Sequence, residues 1–479
     1  MNKPRVLNIL GKIILTEALL MLPSLVVSLI YGDGDYWYFL VTMFPAAILG
    51  FCLSRVQPRE AKMTSRDGYC IVAYAWILIS IIGAVPLYLS GQFTSYFQAF
   101  FEIVSGFTTT GASVLAKPEL LPHGVLFWRS FTHWIGGMGV LVFVLMIIPM
   151  KNDNSMHLVR AEVPGPMAGK LVPRMKQTSM ILYGIYTAMT AVLVVLLLLG
   201  RMPLFDALTI SFGTAGTGGF GIKNDSLGSY TVYQQVVVTV FMLLFGVNFN
   251  VYFFMLARKW KNAFRCEELW WYLGIVAVSI LTIGWNIRGM FDNLGQAMQQ
   301  SAFQVASIIT TTGYATTDFN LWPETSRSML VLLMFVGACA GSTGGGMKVS
   351  RLVILLKTVK KELSQFLHPG RVAKIRMDGK VVEHETIRSI NVFMVAYLLI
   401  FSLSVLALSF DGTDMITNFT AVAATFNNIG PGLEQAGPAT NFAMFSNVSK
   451  LVMTFDMLAG RLEIFPVLLL FVRDTWRKF

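Results

Sequence analysis

Thr-Thr-Thr-Gly-Ala-Ser at residues 108–113 returns as Thr-Thr-Thr-Gly-Tyr-Ala-Thr at 310–316. Each string follows an apolar segment, 95–106 or 294–309, that is shorter than the roughly 20 residues a helix needs to cross a bilayer. Two variants stand in corresponding places. Gly-Thr-Gly-Gly-Phe-Gly (216–221) follows segment 204–212, and Asn-Asn-Ile-Gly-Pro-Gly (427–432) follows 414–426. One glycine aligns all four, giving Gly111, Gly219, Gly313 and Gly430. A single such string would mean little, because glycine and threonine are ordinary small residues of close-packed membrane helices. Two identical strings in matching contexts, with two variants where a repeat requires them, mean more.

Working outward, each short segment lies between two full apolar spans. These are 69–89 with 123–149, 179–199 with 233–256, 270–290 with 328–356, and 390–410 with 442–472. Two more spans, 11–31 and 37–54, come first, and the leading one reads as a span rather than a cleaved signal. The predicted architecture is an all-α membrane protein. An N-terminal transmembrane hairpin (1–67) precedes four pseudo-repeated helix–pore-loop–helix units, 68–176, 177–268, 269–386 and 387–479. Span, re-entry and span make an even number of crossings, so all four glycine loops fall on one side. If the four copies are arranged around an axis, the loops surround it and enclose one pore.

Composition agrees. Hydrophobic residues make up 55 % of 479 and charged residues 13 %, about half the charge of an average soluble domain. Mean hydropathy is +0.62. The net charge of +11 gathers in alternate loops: Arg55, Arg59, Lys62 and Arg66, then Lys151, Arg160, Lys170, Arg174 and Lys176, then Arg258, Lys259, Lys261 and Arg265. It gathers again over 357–388 and at Arg473, Arg477 and Lys478, while the intervening loops carry Asp33, Asp35, Asp292, Asp318, Glu324 and Asp411. That alternation is the positive-inside pattern and puts both termini in the cytoplasm, so a nucleic-acid partner is not expected. Cys52, Cys70, Cys266 and Cys339 have no paired spacing that would indicate disulfides or zinc.

An alkali cation offers no chemistry beyond its charge, so a selective pore must replace its water shell with fixed oxygens, backbone carbonyls above all. Aiming successive carbonyls at one axis demands backbone conformations that glycine adopts readily. The filter residues expected to hold the cation are therefore Thr109, Thr110 and Gly111, with Thr217, Gly218 and Gly219 in the second loop. In the third and fourth they are Thr311, Thr312 and Gly313, and Asn428, Ile429 and Gly430. The second loop has several glycines, leaving its register open by one residue. The fourth has no threonine, and unequal walls predict rubidium passage together with weaker sodium passage.

The chain resembles the TrkH/KtrB superfamily of potassium transporters, and within it the TrkH type. Besides the loops, the likeness rests on Trp128-Arg129-Ser130, Trp134-Ile135-Gly136-Gly137-Met138-Gly139, Gly341-Ser342-Thr343-Gly344-Gly345-Gly346-Met347-Lys348 and Gly460-Arg461-Leu462-Glu463. It covers essentially the whole chain. It implies a channel-like fold in a bacterial inner membrane, a homodimer of two such chains, and a separate TrkA-like cytosolic subunit that binds nucleotides. Glycine at all four filter positions implies a preference for potassium, because relatives that favour sodium often carry serine at the first. No cofactor is expected beyond the transported ion.

The third return span is interrupted by glycines over 337–346, each opposing a helix by about 1 kcal/mol. Broken membrane helices line cavities or paths. The resemblance makes Gly341, Ser342, Thr343, Gly344, Gly345, Gly346 and Lys348 a mobile obstruction below the filter, with Arg461 repelling cations beside it. The plainer readings are a packing kink and an ion pair of Arg461 with Glu463 or Asp456. His133 reads as a packing or hydrogen-bonding residue rather than a proton relay. The 341–348 string has neither Walker spacing nor a preceding strand, which excludes a nucleotide-binding loop. The basic loop 357–388 suits lipid headgroups or a cytosolic partner. A potassium symporter coupled to protons or sodium would need titratable groups along the path, which are few. An enzyme would need a convergent His, Asp or Ser set, and none appears.

Overall fold

Apolar length builds the frame. The structure, a computed structural model, describes residues 3–56, 64–139, 175–369 and 373–475. Among these, Lys3–Tyr31, Tyr36–Ser54, Arg66–Leu89, Ser179–Leu199, Glu267–Asn286 and His384–Asp411 are long and apolar enough to cross a membrane. Val232–Phe245 and Phe249–Leu256 form a further, sharply bent pair. The chain is a mostly helical, multi-pass membrane protein. The expected spans 11–31, 37–54, 69–89, 179–199, 270–290 and 390–410 each fall on one of these helices, with the first helix starting eight residues earlier, at Lys3.

The four short segments are helices Tyr96–Phe107, Leu204–Gly216, Leu294–Ile309 and Met415–Phe426. Three start on a side-chain cap. Ser95, Asn293 and Asp414 accept from the amides of Gln98, Gln296 and Thr417, satisfying donors that a helix start leaves open. Pro203 precedes the other.

The return spans depart from expectation. One broken span was predicted, the third. In the structure, helices His123–Gly137, Val232–Phe245, Glu324–Val336 and Asn447–Arg461 all stop after about four turns. The second bends by 89° before Phe249–Leu256, the third resumes only at Val349–Leu367, and the fourth is followed by the short Phe465–Leu468. Apolar residues run on across the second and fourth breaks, so hydropathy alone cannot see them. Val140 onward in the first return span lies outside the described residues, as do Lys151, Arg160, Lys170 and Arg174. So do Arg59, Lys62, Arg371, Arg477 and Lys478.

The leading hairpin closes where Gly11 meets Leu53 and Ser54, and it docks onto the His123–Gly137 helix through the turn at 32–35. There Asp33 accepts from the His123 amide at 2.7 Å and Asp35 from the Val125 amide at 3.2 Å, capping the His123–Gly137 helix from a different hairpin. Slight burial works to raise the Asp33 carboxyl, but the hydrogen bonds from His123 outweigh it and hold the group below its usual range. A two-stranded hairpin pairs Arg376 with Val381 and Met377 with Lys380. Its Asp378-Gly379 turn has φ of +53° and +77°, the backbone that an Asp-Gly pair favours in a tight hairpin.

Candidate functional site

All four short helices end in the same way. In the first, Thr110 N–H reaches back to Ser105 O, in the second Gly218 to Gly213, in the third Thr312 to Ser307, and in the fourth Ile429 to Ala424, each at 2.8 Å. One residue earlier, the amides of Thr109, Thr217, Thr311 and Asn428 bond to Gly106, Thr214, Ile308 and Thr425. This pair of bonds is the Schellman ending, which puts the residue after the helix in the left-handed region. That residue has φ of +56° at Thr109, +54° at Thr217, +58° at Thr311 and +56° at Asn428. Glycine normally takes this place, and for a β-branched side chain it is strained by about 1–2 kcal/mol. Asparagine tolerates it best, which accounts for a fourth loop without threonine.

Two residues on, the aligned glycines also have positive φ, +82° at Gly111, +74° at Gly219, +84° at Gly313 and +101° at Gly430. Their neighbours close a ring in chain order. A Cβ on Gly111 would overlap Gly218 O, one on Gly219 would overlap Thr312 O, and one on Gly313 would overlap Ile429 O. A Cβ on Gly430 would lie 2.8 Å from Thr110 O. Each glycine thus faces the carbonyl just before the next glycine, and the register left open in the second loop falls on Gly219. All twelve residues expected from the sequence come together here. Thr109 Oγ1 and Asn428 Oδ1 are buried without a hydrogen-bond partner in the protein.

Side chains from the His123–Gly137 return helix and from the His384–Leu408 span brace the ring. Arg129, 1 % exposed, donates to Glu102 Oε1 at 2.8 Å, to Gly221 O at 3.0 Å and to Ser113 Oγ at 3.2 Å, and it stacks on Phe220. His133 joins the first short helix to the second loop. Its Nε2 accepts from the Phe220 amide, which leaves Nδ1 to donate to Gly106 O at 2.9 Å. It is a strut, as expected. Tyr397 donates to Asn427 Oδ1, while Asn428 Nδ2 donates to Thr110 Oγ1 and Met457 O.

On the other side of the ring, the 337–348 stretch packs directly against two of the helix ends. Gly345 N–H donates to Thr311 Oγ1 at 2.6 Å, a Cβ on Gly344 would lie 2.8 Å from Thr310 O, and one on Gly345 would crowd Asn427 O. Lys348, buried and at φ +76°, donates its Nζ to Gly344 O. Arg461 reaches the same stretch, donating to Thr343 O at 3.0 Å and to the carbonyls of Gly136 and Gly137. Glu463, considered above as its partner, pairs with Arg351, and Asp456 accepts from Ser404.

Two positions went unnoticed in the sequence. Glu102 is a lone carboxylate in an apolar segment and Glu268, beside Glu267, opens another, and charge at membrane segments by itself points to function. Glu268 accepts from the amides of Ala340, within the third break, and Ser350, just after it.

Comparisons with known proteins identify the family. The profile of the TrkH family, described as cation transport protein, matches residues 39–287 and 275–478. The Trk system potassium uptake protein TrkH of Salmonella typhimurium is 36 % identical over 473 residues, covering 97 % of each chain. TrkG of Escherichia coli K12, also a Trk system potassium uptake protein, is 34 % identical over 486 residues, covering 99 % of this chain and 98 % of that one. The crystal structure of the potassium transporter TrkH from Vibrio parahaemolyticus superposes with a TM-score of 0.90 at 32 % identity over the whole of both chains. The chain belongs to the TrkH family of cation transport proteins.

Proposed function

We propose that the chain takes up potassium across a bacterial inner membrane through a regulated, channel-like pore whose selectivity filter is the ring of four glycine turns. The observation that carries this reading is the closure of that ring by four equivalent backbones of unequal sequence, in a chain whose relatives are potassium uptake proteins. Potassium is then substrate, held by the carbonyls of Thr110, Gly218, Thr312 and Ile429 and by those beside them. The four helix–pore-loop–helix units are 68–176, 177–268, 269–386 and 387–479, after the 1–67 hairpin. The short helices direct the negative ends of their dipoles toward the ion path.

The 337–348 stretch, with Lys348 and Arg461, is the gate. It lies against the inner face of the filter and carries positive charge into the path of a cation. Both termini lie in the cytoplasm, a second copy completes a homodimer, and a TrkA-like nucleotide-binding subunit moves the gate from the basic 357–388 face, where lipid headgroups also bind. Coupled symport is the competing mechanism, and Asp456, buried with one carboxylate oxygen unpartnered on the fourth return helix, is a group that would serve it. Reconstituted current should reverse at the potassium Nernst potential and ignore pH and sodium. A reversal potential that follows either gradient would establish symport instead.

A further inference from the structure

We infer that Glu268 holds the 337–348 gate closed, and that the cytoplasmic 376–381 hairpin acts on the gate through the Glu267–Glu268 pair. The inference rests on reading 337–348 as the obstruction. Glu268 is 4 % exposed, in the first turn of Glu267–Asn286. Its Oε1 accepts from Ala340 N–H at 2.7 Å and from Ser350 N–H at 2.9 Å, so one carboxylate oxygen pins the stretch near both ends. The Ser350 amide belongs to the first turn of Val349–Leu367, where amides have no partner inside their own helix. Glu268 therefore caps that helix from a neighbouring one. Asn248, at the bend of the second return span, offers its side chain to the same carboxylate. The two broken spans are also joined directly, Cys339 N–H to Gly246 O and Phe249 N–H to Gly341 O, both at 3.0 Å.

The residue before Glu268 is where the cytoplasmic side reaches this cap. Glu267 N–H donates to Asp378 Oδ1 at 2.7 Å, in the turn of the hairpin. Lys357 pairs with the Glu267 carboxylate at 2.5 Å and donates to Arg376 O at 2.8 Å. The hairpin thus grips the start of the helix that carries Glu268, and through Lys357 also the helix that follows the gate. A pull on the hairpin displaces the carboxylate, and without it two buried amides lose their acceptor. The closed arrangement loses its anchor at both ends together.

Rubidium efflux from liposomes carrying the purified full-length protein tests this. Glu268→Gln should raise flux about tenfold with the rubidium-to-sodium ratio unchanged, and Asp378→Ala should raise it about threefold. Glu268→Asp, which keeps the charge, should fall between wild type and Glu268→Gln. Ser350→Pro removes one donor at a first-turn position where proline is tolerated, so it should also raise flux and tests the cap with Glu268 intact. Deletion of 341–346 separates the two layers. If the deletion leaks while Glu268→Gln and Ser350→Pro behave as wild type, the role of Glu268 is overturned and the gate stands. If the deletion itself leaves flux unchanged, the gate reading fails. A changed ion ratio in Glu268→Gln would place its effect on the filter and overturn the inference.

Discussion

The first and third glycine turns share Thr-Thr-Thr-Gly, the same helix ending and nearly the same φ, yet their surroundings differ. Thr109 Oγ1 has no partner in the protein, whereas the equivalent Thr311 Oγ1 is occupied by Gly345 N–H of the interrupted span. Nine residues before each glycine, Glu102 forms a buried ion pair with Arg129, whereas Gln304 makes only a 3.4 Å bond to Thr316 and leaves its Oε1 unpartnered. Identical strings thus produce identical turns, and the neighbours assign them different work. The first sector is braced from behind by charge. The third is covered by the 337–348 stretch, which we propose as the gate.

The largest effect expected is common to both sectors. Gly111→Ala and Gly313→Ala each place a Cβ on a neighbouring carbonyl at a positive φ, so rubidium uptake should fall by about a hundredfold or more in either. A sector that tolerated the change would break the equivalence. Next, Glu102→Gln should act on the first sector alone. Breaking a buried ion pair costs about 3–5 kcal/mol, so thermal unfolding in detergent should shift markedly. The analogous Gln304→Leu should shift it far less. Third, Thr311→Val removes an acceptor worth about 1 kcal/mol net and should raise resting flux about fivefold, while Thr109→Val should produce no rise.

The smallest effect lies outside both sectors. The Asp33 carboxyl sits below its unfolded value, so its contribution is present above an unfolded value of about 3.9 and is lost as pH falls through the lower folded one. Asp33→Asn should therefore lose a little thermal stability at neutral pH and converge with wild type in acid, with ion preference unchanged.

Much of the fold was legible because a bilayer makes apolar length informative. The leading hairpin, the first span of each unit and all four short helices follow from it, and the Thr-Thr-Thr-Gly strings set the alignment. The breaks after Phe245 and Arg461 were not legible, since Val247, Phe249 and Phe253, or Leu462, Ile464 and Phe465, keep the apolar run going while the backbone turns. The third break was visible because it is written in glycine. At the site, the twelve positions that the repeat singles out, proposed here as the filter, do come together in space. The second-loop register needed Thr312 O and Gly219 in space, and Arg461 needed Thr343, Gly136 and Gly137, which lie far away in sequence. Glu268 could have been flagged as a charge at a span, but its partners Ala340 and Ser350 could not have been named.

The most direct measurement is anomalous scattering from crystals of the protein grown with rubidium or thallium. The account predicts a peak on the axis shared by the carbonyls of Thr110, Gly218, Thr312 and Ile429. Ions located only outside that ring, with its centre empty at saturating concentration, would contradict it.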